Sequence, residues 1–209
     1  MALKNINKLF LLGTTLIILS CGPLDPNNQI DEGKVEDDTY TSKDIGWTIQ
    51  IPKGWTIIEK EKTQLNNEKG KKAIEETIGS EVDVSELKNL IGFQKNQFNI
   101  FQSTSELFEL TYEGEYEASN EDLKKILFAT YTEKGINVDT SSSHAIIDGL
   151  AFDVFHTILY GPKGNILLHQ EMYSSYINGF DFAVNMSYNN EKDKKIMMNA
   201  WKNSKFNKQ

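Results

Sequence analysis

Two dipeptides, Asp148-Gly149 and Asn178-Gly179, constrain this chain more than any other feature. Both central positions of a type I′ hairpin turn need positive φ, and Asp-Gly and Asn-Gly supply it readily. Between them, Gly161-Pro162-Lys163-Gly164 marks a third reversal. The sequence therefore predicts antiparallel strands at about 137–147, 150–160, 165–177 and 180–188. In the last of these, Phe180, Phe182, Val184, Met186 and Tyr188 alternate with Asp181, Ala183, Asn185 and Ser187. One face is core and the other is wet or lightly covered.

Upstream, Trp47, Ile49 and Ile51 alternate with Thr48 and Gln50, a half-buried strand that Pro52-Lys53-Gly54 stops. Ile57 and Ile58 continue the sheet or lead out of it. A helix is expected over 66–78, with Ile74 and Ile78 four apart and Gly79 as its stop, although Gly70 counts against it. A helical turn at 85–90 and strands at 91–95 and 98–103 follow. Ser119, with Asp122 three residues later, opens a helix whose stripe is Leu123, Ile126, Leu127, Thr130 and Tyr131, ending at Gly135. A last helix runs from about Asn190 and buries Ile196, Met197, Ala200 and Trp201. Strands and helices in separate runs make an α+β domain, its helices packed against an antiparallel sheet.

The single cysteine sits directly behind an apolar run. Lys4 and Lys8 form a positive n-region, residues 9–19 are apolar, and Ser20 precedes Cys21, the order of a secretory signal. The run is shorter than the roughly 20 residues a membrane span needs. Ile18-Leu19-Ser20-Cys21 resembles the bacterial lipoprotein box, in which the thiol is diacylglycerylated and the chain is cut before it. That resemblance implies a signal peptide over 1–20, lipid attachment at Cys21, and export to the cell envelope. Gly22 directly after the cysteine is similar to the sorting signal for an outer-membrane destination. With the thiol consumed, no disulfide, cysteine nucleophile or cysteine metal ligand remains.

Residues 21–39 read as a flexible acidic tether. Pro23, Pro26, Asn27 and Asn28 break structure, while Asp25, Asp31, Glu32, Glu36, Asp37 and Asp38 face only Lys34. Residues 40–209 form the single globular domain. The net charge is −8 and every basic residue is lysine, so the arginine forks and basic patches that read nucleic acid are missing. Nucleic acid is not an expected partner.

The opening Tyr40-Thr41-Ser42, the Gly46-Trp47-Thr48-Ile49 strand, the Pro52-Lys53-Gly54-Trp55 stop and the closing Ser204-Lys205-Phe206 resemble PsbP-like domains over about 40–206. The resemblance implies an α/β/α sandwich around a central antiparallel sheet, here ending in the four-strand meander. It also implies a binding or assembly role and brings no catalytic motif, and a shared fold does not fix function.

The residue types of a hydrolase occur in "SSSHAIIDG" at 141–149, but there is no G-x-S-x-G, and the stretch reads as a polar strand entering a turn. Gly161–Asn165 lacks the spacing of a phosphate-cradling loop. One constellation is sharper. If Tyr160 pairs with Asn165 across the third turn, His156 faces His169, with Glu171 on the same side, a set that could hold Zn²⁺ or Fe²⁺. Tyr160, Tyr173 and Tyr176, with Phe152, are candidates for core or for a binding surface. The favoured function is a membrane-anchored, non-catalytic binding or assembly module, held in the bilayer through acylated Cys21 and engaging an envelope protein, without a cofactor. The alternative is a metal-dependent envelope hydrolase built on His156, His169 and Glu171.

Overall fold

The computed structural model describes residues 24–207. Cys21 and the leader over 1–20 lie outside the described residues. A hairpin of β1 (Lys34–Glu36) and β2 (Thr39–Thr41) continues into β3 (Trp47–Gln50). β4 (Thr56–Ile57) leads to helix α1 (Lys60–Ile78), and β5 (Lys88–Asn96) and β6 (Asn99–Leu107) precede α2 (Glu115–Glu133). The meander follows as β7 (Asn137–Ile147), β8 (Leu150–Tyr160), β9 (Ile166–Ile177) and β10 (Phe180–Tyr188). Helix α3 (Glu191–Lys202) and β11 (Lys205–Phe206) close the domain.

These elements form an α+β fold with two antiparallel sheets, one ordered β1-β2-β3-β11 and a seven-stranded one ordered β4-β5-β6-β10-β9-β8-β7. The meander is where the turn signals put it. Asp148 and Gly149 have φ of 47° and 88°, and Asn178 and Gly179 have 55° and 87°, the left-handed pair that a type I′ turn requires. The small sheet is an addition to the sequence reading. It joins the two ends of the domain, because Phe206 of β11 pairs with Trp47 of β3.

Alternation gives the large sheet two unlike faces. One face carries Phe93, Phe101, Phe152, Tyr173, Phe182, Val184 and Met186, all buried. Against it pack the small sheet and α3, through Trp47 and Trp201, each fully buried and in edge-on contact with 6.0 Å between ring centroids. Trp47 also meets Tyr40, Phe182 and Phe206, and Trp201 meets Phe152 and Tyr173. The opposite face receives α1 and α2. α1 carries no apolar stripe, and of its 19 residues only Thr63 is fully buried; α2 fully buries Tyr116, Asn120, Lys124 and Thr130, while Leu123, Ile126, Leu127 and Tyr131 of the expected stripe are half-buried.

The structure corrects the expected tether. From Leu24 onward the chain is folded, with Ile30 and Val35 buried in the core. Its acids have partners far along the chain, which a reading of local charge misses. Asp31 pairs with Lys60 at 2.5 Å and accepts the Asn89 backbone N–H at 2.9 Å. Glu32 accepts the Ser42 hydroxyl at 2.6 Å, the Lys43 N–H at 2.7 Å and the Tyr40 hydroxyl at 3.3 Å. Asp37 and Asp38, at φ 47° and 58°, turn the β1–β2 hairpin.

Both long helices also begin earlier than expected. The first N–H of α1, Lys60, is satisfied by the Gln29 side chain at 2.8 Å, a cap supplied from another segment. α2 opens at Glu115 rather than Ser119, where the Glu115 carboxylate accepts the Thr111 N–H and hydroxyl. The helical turn expected over 85–90 gives way to β5 from Lys88.

Glu32→Ala removes a carboxylate on which several donors converge, so it should lower the unfolding free energy by about 1–3 kcal/mol. Gly70→Ala, in open space on α1, should raise it by up to about 1 kcal/mol. Urea titration of the two variants checks both signs, and a neutral Glu32→Ala would return 24–39 to the status of a tether.

Candidate functional site

The register of β8 against β9 decides the fate of the histidine cluster. His156 pairs with Glu171 and His169 with Ile158, with an irregularity between Leu159 and Tyr160. Tyr160 meets Ile166 rather than Asn165. The expected pairing is therefore two residues out, which preserves side-chain parity, so His156, His169 and Glu171 still share a face. They line a cavity of about 380 Å³ together with Ser141, Tyr188 and Lys194.

Within that cavity each side chain is engaged separately. His156 Nε2 lies 2.7 Å from the Ser143 hydroxyl. His169 stacks on Tyr188, ring centroids 5.1 Å apart. Glu171 is buried and accepts the hydroxyls of Tyr173 and Tyr188, each at 2.7 Å, with Lys194 Nζ at 3.7 Å. Burial, then the Glu171 carboxylate, push both phenols far up, so they stay protonated donors. Among the described residues no group of three or more His, Asp, Glu or Cys is placed to hold a metal ion. The alternative set of His156, His169 and Glu171 thus shares one face and one cavity, with each side chain held by a different partner.

The Ser/His/Asp types of 141–149 also part company. Ser143 goes to His156, exposed His144 pairs with Asp153 at 2.8 Å, and Asp148 holds Lys205 and the Phe206 N–H. The tyrosines do not form one surface either. Tyr173 is buried against Trp201, and Tyr160 bonds Asp139 at 2.7 Å. Tyr176 lies on the opposite face, 38% exposed, against Phe108 and Tyr116.

The feature that sequence reasoning missed is a groove on the helical face of the large sheet. α2 sits over β8 and β9, tied by Asn120 to Ser174 at 2.9 Å and by Tyr131 to Gln170 at 2.7 Å. α1 sits over β5 and β6, where Asn67 donates to Asn89 at 2.8 Å, and leans on α2 where Lys134 meets Glu76 at 2.8 Å. Between them the central strands β6 and β10 stay reachable by solvent. Asn185, on a strand paired on both sides, is exposed. Among the described residues the side-chain amides of Gln102 and Asn185 have no hydrogen-bond partner.

Three hollows run together along this floor. One of about 70 Å³ holds Gln102, Thr104 and Asn185; one of about 240 Å³ shares Asn185 and reaches Leu123, Leu127 and Tyr131. The third, about 590 Å³, shares Leu123 and opens between Glu106, Asp181, Phe108, Tyr112 and Ile126. From Asp181 to Ser187 the floor spans about 20 Å at strand rise.

The wide end is electrostatically unfavourable. Glu106 stands directly across from Asp181, and like charges at that position destabilise a sheet. Burial, then Asp181, Asp83 and Glu86, raise the Glu106 pKa. Burial raises that of Asp181, against the 2.8 Å hydrogen bond that the Tyr116 hydroxyl donates to it. The only hint in the sequence was the polar half of the alternation in β10.

No family model matches the chain, and no curated protein matches it in sequence. Among solved structures, the solution structure of cyanobacterial PsbP (CyanoP) from Synechocystis sp. PCC 6803 is similar, with a TM-score of 0.54 and 10% identity. The match covers 91% of this chain and 99% of that one. The fold is therefore PsbP-like, as the resemblance implied.

For both Glu106 and Asp181 the folded pKa lies above the ordinary value. The native state then holds the extra proton, so their contribution grows unfavourable as pH rises through the folded values and vanishes below the unfolded ones. Asp181→Asn, which keeps an acceptor for Tyr116, should raise the melting temperature at neutral pH. The gain should fade toward about pH 4. Melting curves across that range test it; a gain independent of pH would show that charge is not the cause.

Proposed function

We propose that this chain is a non-catalytic binding module of the cell envelope, anchored by lipid on Cys21. It receives an extended segment of a protein partner in the groove between α1 and α2. The observation that carries the reading is the open floor itself: central strands whose amides, Gln102 and Asn185, have no protein partner among the described residues. Side-chain amides offer a donor and an acceptor, the complement of a main-chain amide. The uncompensated Glu106–Asp181 end suits a lysine or arginine on that segment. The PsbP-like fold is compatible with such a role without specifying it. Among the described residues no helix is long and apolar enough to cross a membrane; the lipid anchor rests on the resemblance of Ile18-Leu19-Ser20-Cys21 to the lipoprotein box.

Two variants separate anchor from groove. Cys21→Ser should leave a folded domain that no longer sediments with membranes, since the core of the described residues is built from Ile30 onward. Ala183→Trp, which fills the groove floor, should leave sedimentation unchanged. It should also abolish the side-chain amide shifts of Gln102 and Asn185 that a polar, lysine-ended peptide produces in NMR titration of the parent. Labelled fatty acid on the Ser variant would count against the anchor. Absence of those shifts in the parent, or their survival in Ala183→Trp, would count against the groove.

A further inference from the structure

The edges of the two sheets are treated very differently. β4, β1 and β11 expose edges of only two or three residues, the usual way of blunting an open strand. β7 is the exception. It runs for 11 residues, pairs with β8 without a register break, and carries neither lysine nor proline in NVDTSSSHAII. Among the described residues no strand pairs with its outer side.

The type I′ turn at Asp148-Gly149 fixes which backbone groups lie outward. Residues flanking a two-residue loop exchange both hydrogen bonds, so Ile147 and Leu150 form a bonded pair, and such pairs alternate along the ladder. The odd residues of β7 thus bond β8. The N–H and C=O groups of Val138, Thr140, Ser142, His144 and Ile146 face away from it and have no partner among the described residues.

We infer that this edge is where a second copy of the chain binds, β7 pairing antiparallel with β7 about a two-fold axis at Ser142. A two-fold pair preserves sheet faces only if partners share parity, and hydrogen-bonded partners must both be even. Centring on Ser142 meets both conditions and uses the whole strand. In that register Val138 meets Ile146 of the second copy, covering a side chain that is 69% exposed. Thr140 meets His144, and Asp139 meets Ala145, so no like charges stand opposite one another. Two seven-stranded sheets become one continuous sheet.

The test uses the full chain, in detergent where the lipid requires it, by sedimentation across a concentration series and by hydrogen exchange. The parent should dimerise, and the amides of residues 138, 140, 142, 144 and 146 should become slowly exchanging with it. Ser142→Lys and Ser142→Glu, at an exposed site, each oppose like charges across the axis and should each be monomeric. Mixing the two should restore the dimer. Ser142→Pro, which deletes an outward donor, should abolish it. A monomer at every concentration would overturn the inference, as would a dimer unaffected by the lysine variant. Protection of the even amides that appears only with an envelope extract, without dimer, would assign the edge to another protein and overturn it too.

Discussion

The contact between Trp47 and Trp201 holds the domain together. One comes from the first strand after the opening turns and the other from the last helix, and both lie on the same face of a sheet made by the sequence between them. Each indole is fully buried, and neither Nε1–H has a hydrogen-bond partner among the described residues. A buried donor left unsatisfied costs about 1–3 kcal/mol. The aromatic area around the pair offsets this, since Trp, Tyr and Phe rings dominate the energetics of a core. Closing this contact brings β11 onto β3 and so completes the small sheet.

That arrangement concentrates the apolar side chains on one face and leaves the other short of them. The helices on the second face are consequently attached by side-chain hydrogen bonds: Asn120 to Ser174, Tyr131 to Gln170, Tyr116 to Asp181, Asn67 to Asn89. Polar attachments of this kind contribute about 0.5–1.5 kcal/mol each, far less than a buried apolar stripe. They also hold the helices at discrete points, so the strands between them remain open. The groove follows from an asymmetry in the core. Its least favourable feature, Glu106 opposite Asp181, is a violation of local rules of the sort that real proteins retain at functional sites.

The legible parts of this fold were those governed by neighbours in sequence. Asp148-Gly149 and Asn178-Gly179 act through their own φ angles, and alternation along β10 reports its two faces directly. Three features depended on distant partners and were not legible. Gln29 caps α1 from 31 residues away, Glu32 gathers donors from 8 to 12 residues ahead, and Asp31 reaches Asn89. The β8–β9 register fell between these cases. Its loop residues were clear, but the irregularity beside Tyr160 displaced the pairing by two, moving His169 from His156 to Ile158 while keeping both on one face. For the candidate site, composition pointed to histidines and carboxylates, whereas the structure uses those side chains in separate pairs. The groove is made of the amides and hydroxyls that a search for chemistry passes over.

The correction to the N-terminal segment also bears on geometry at the membrane. With folded chain from Leu24, a lipid on Cys21 would leave only a few residues, about 10 Å of extended chain, between bilayer and domain. Residues 29–31 lie against the first turn of α1 and against β5, at one side of the large sheet. β7 is its opposite margin. At about 4.8 Å per strand, five steps from β5 to β7 separate the edge from that side by about 24 Å. With Cys21 lipidated, the anchor would act within that reach of Leu24 and leave the unblunted edge of β7 clear to pair at the far margin of the large sheet. The groove over β6 and β10 lies between them, on the face that the aromatic core does not use.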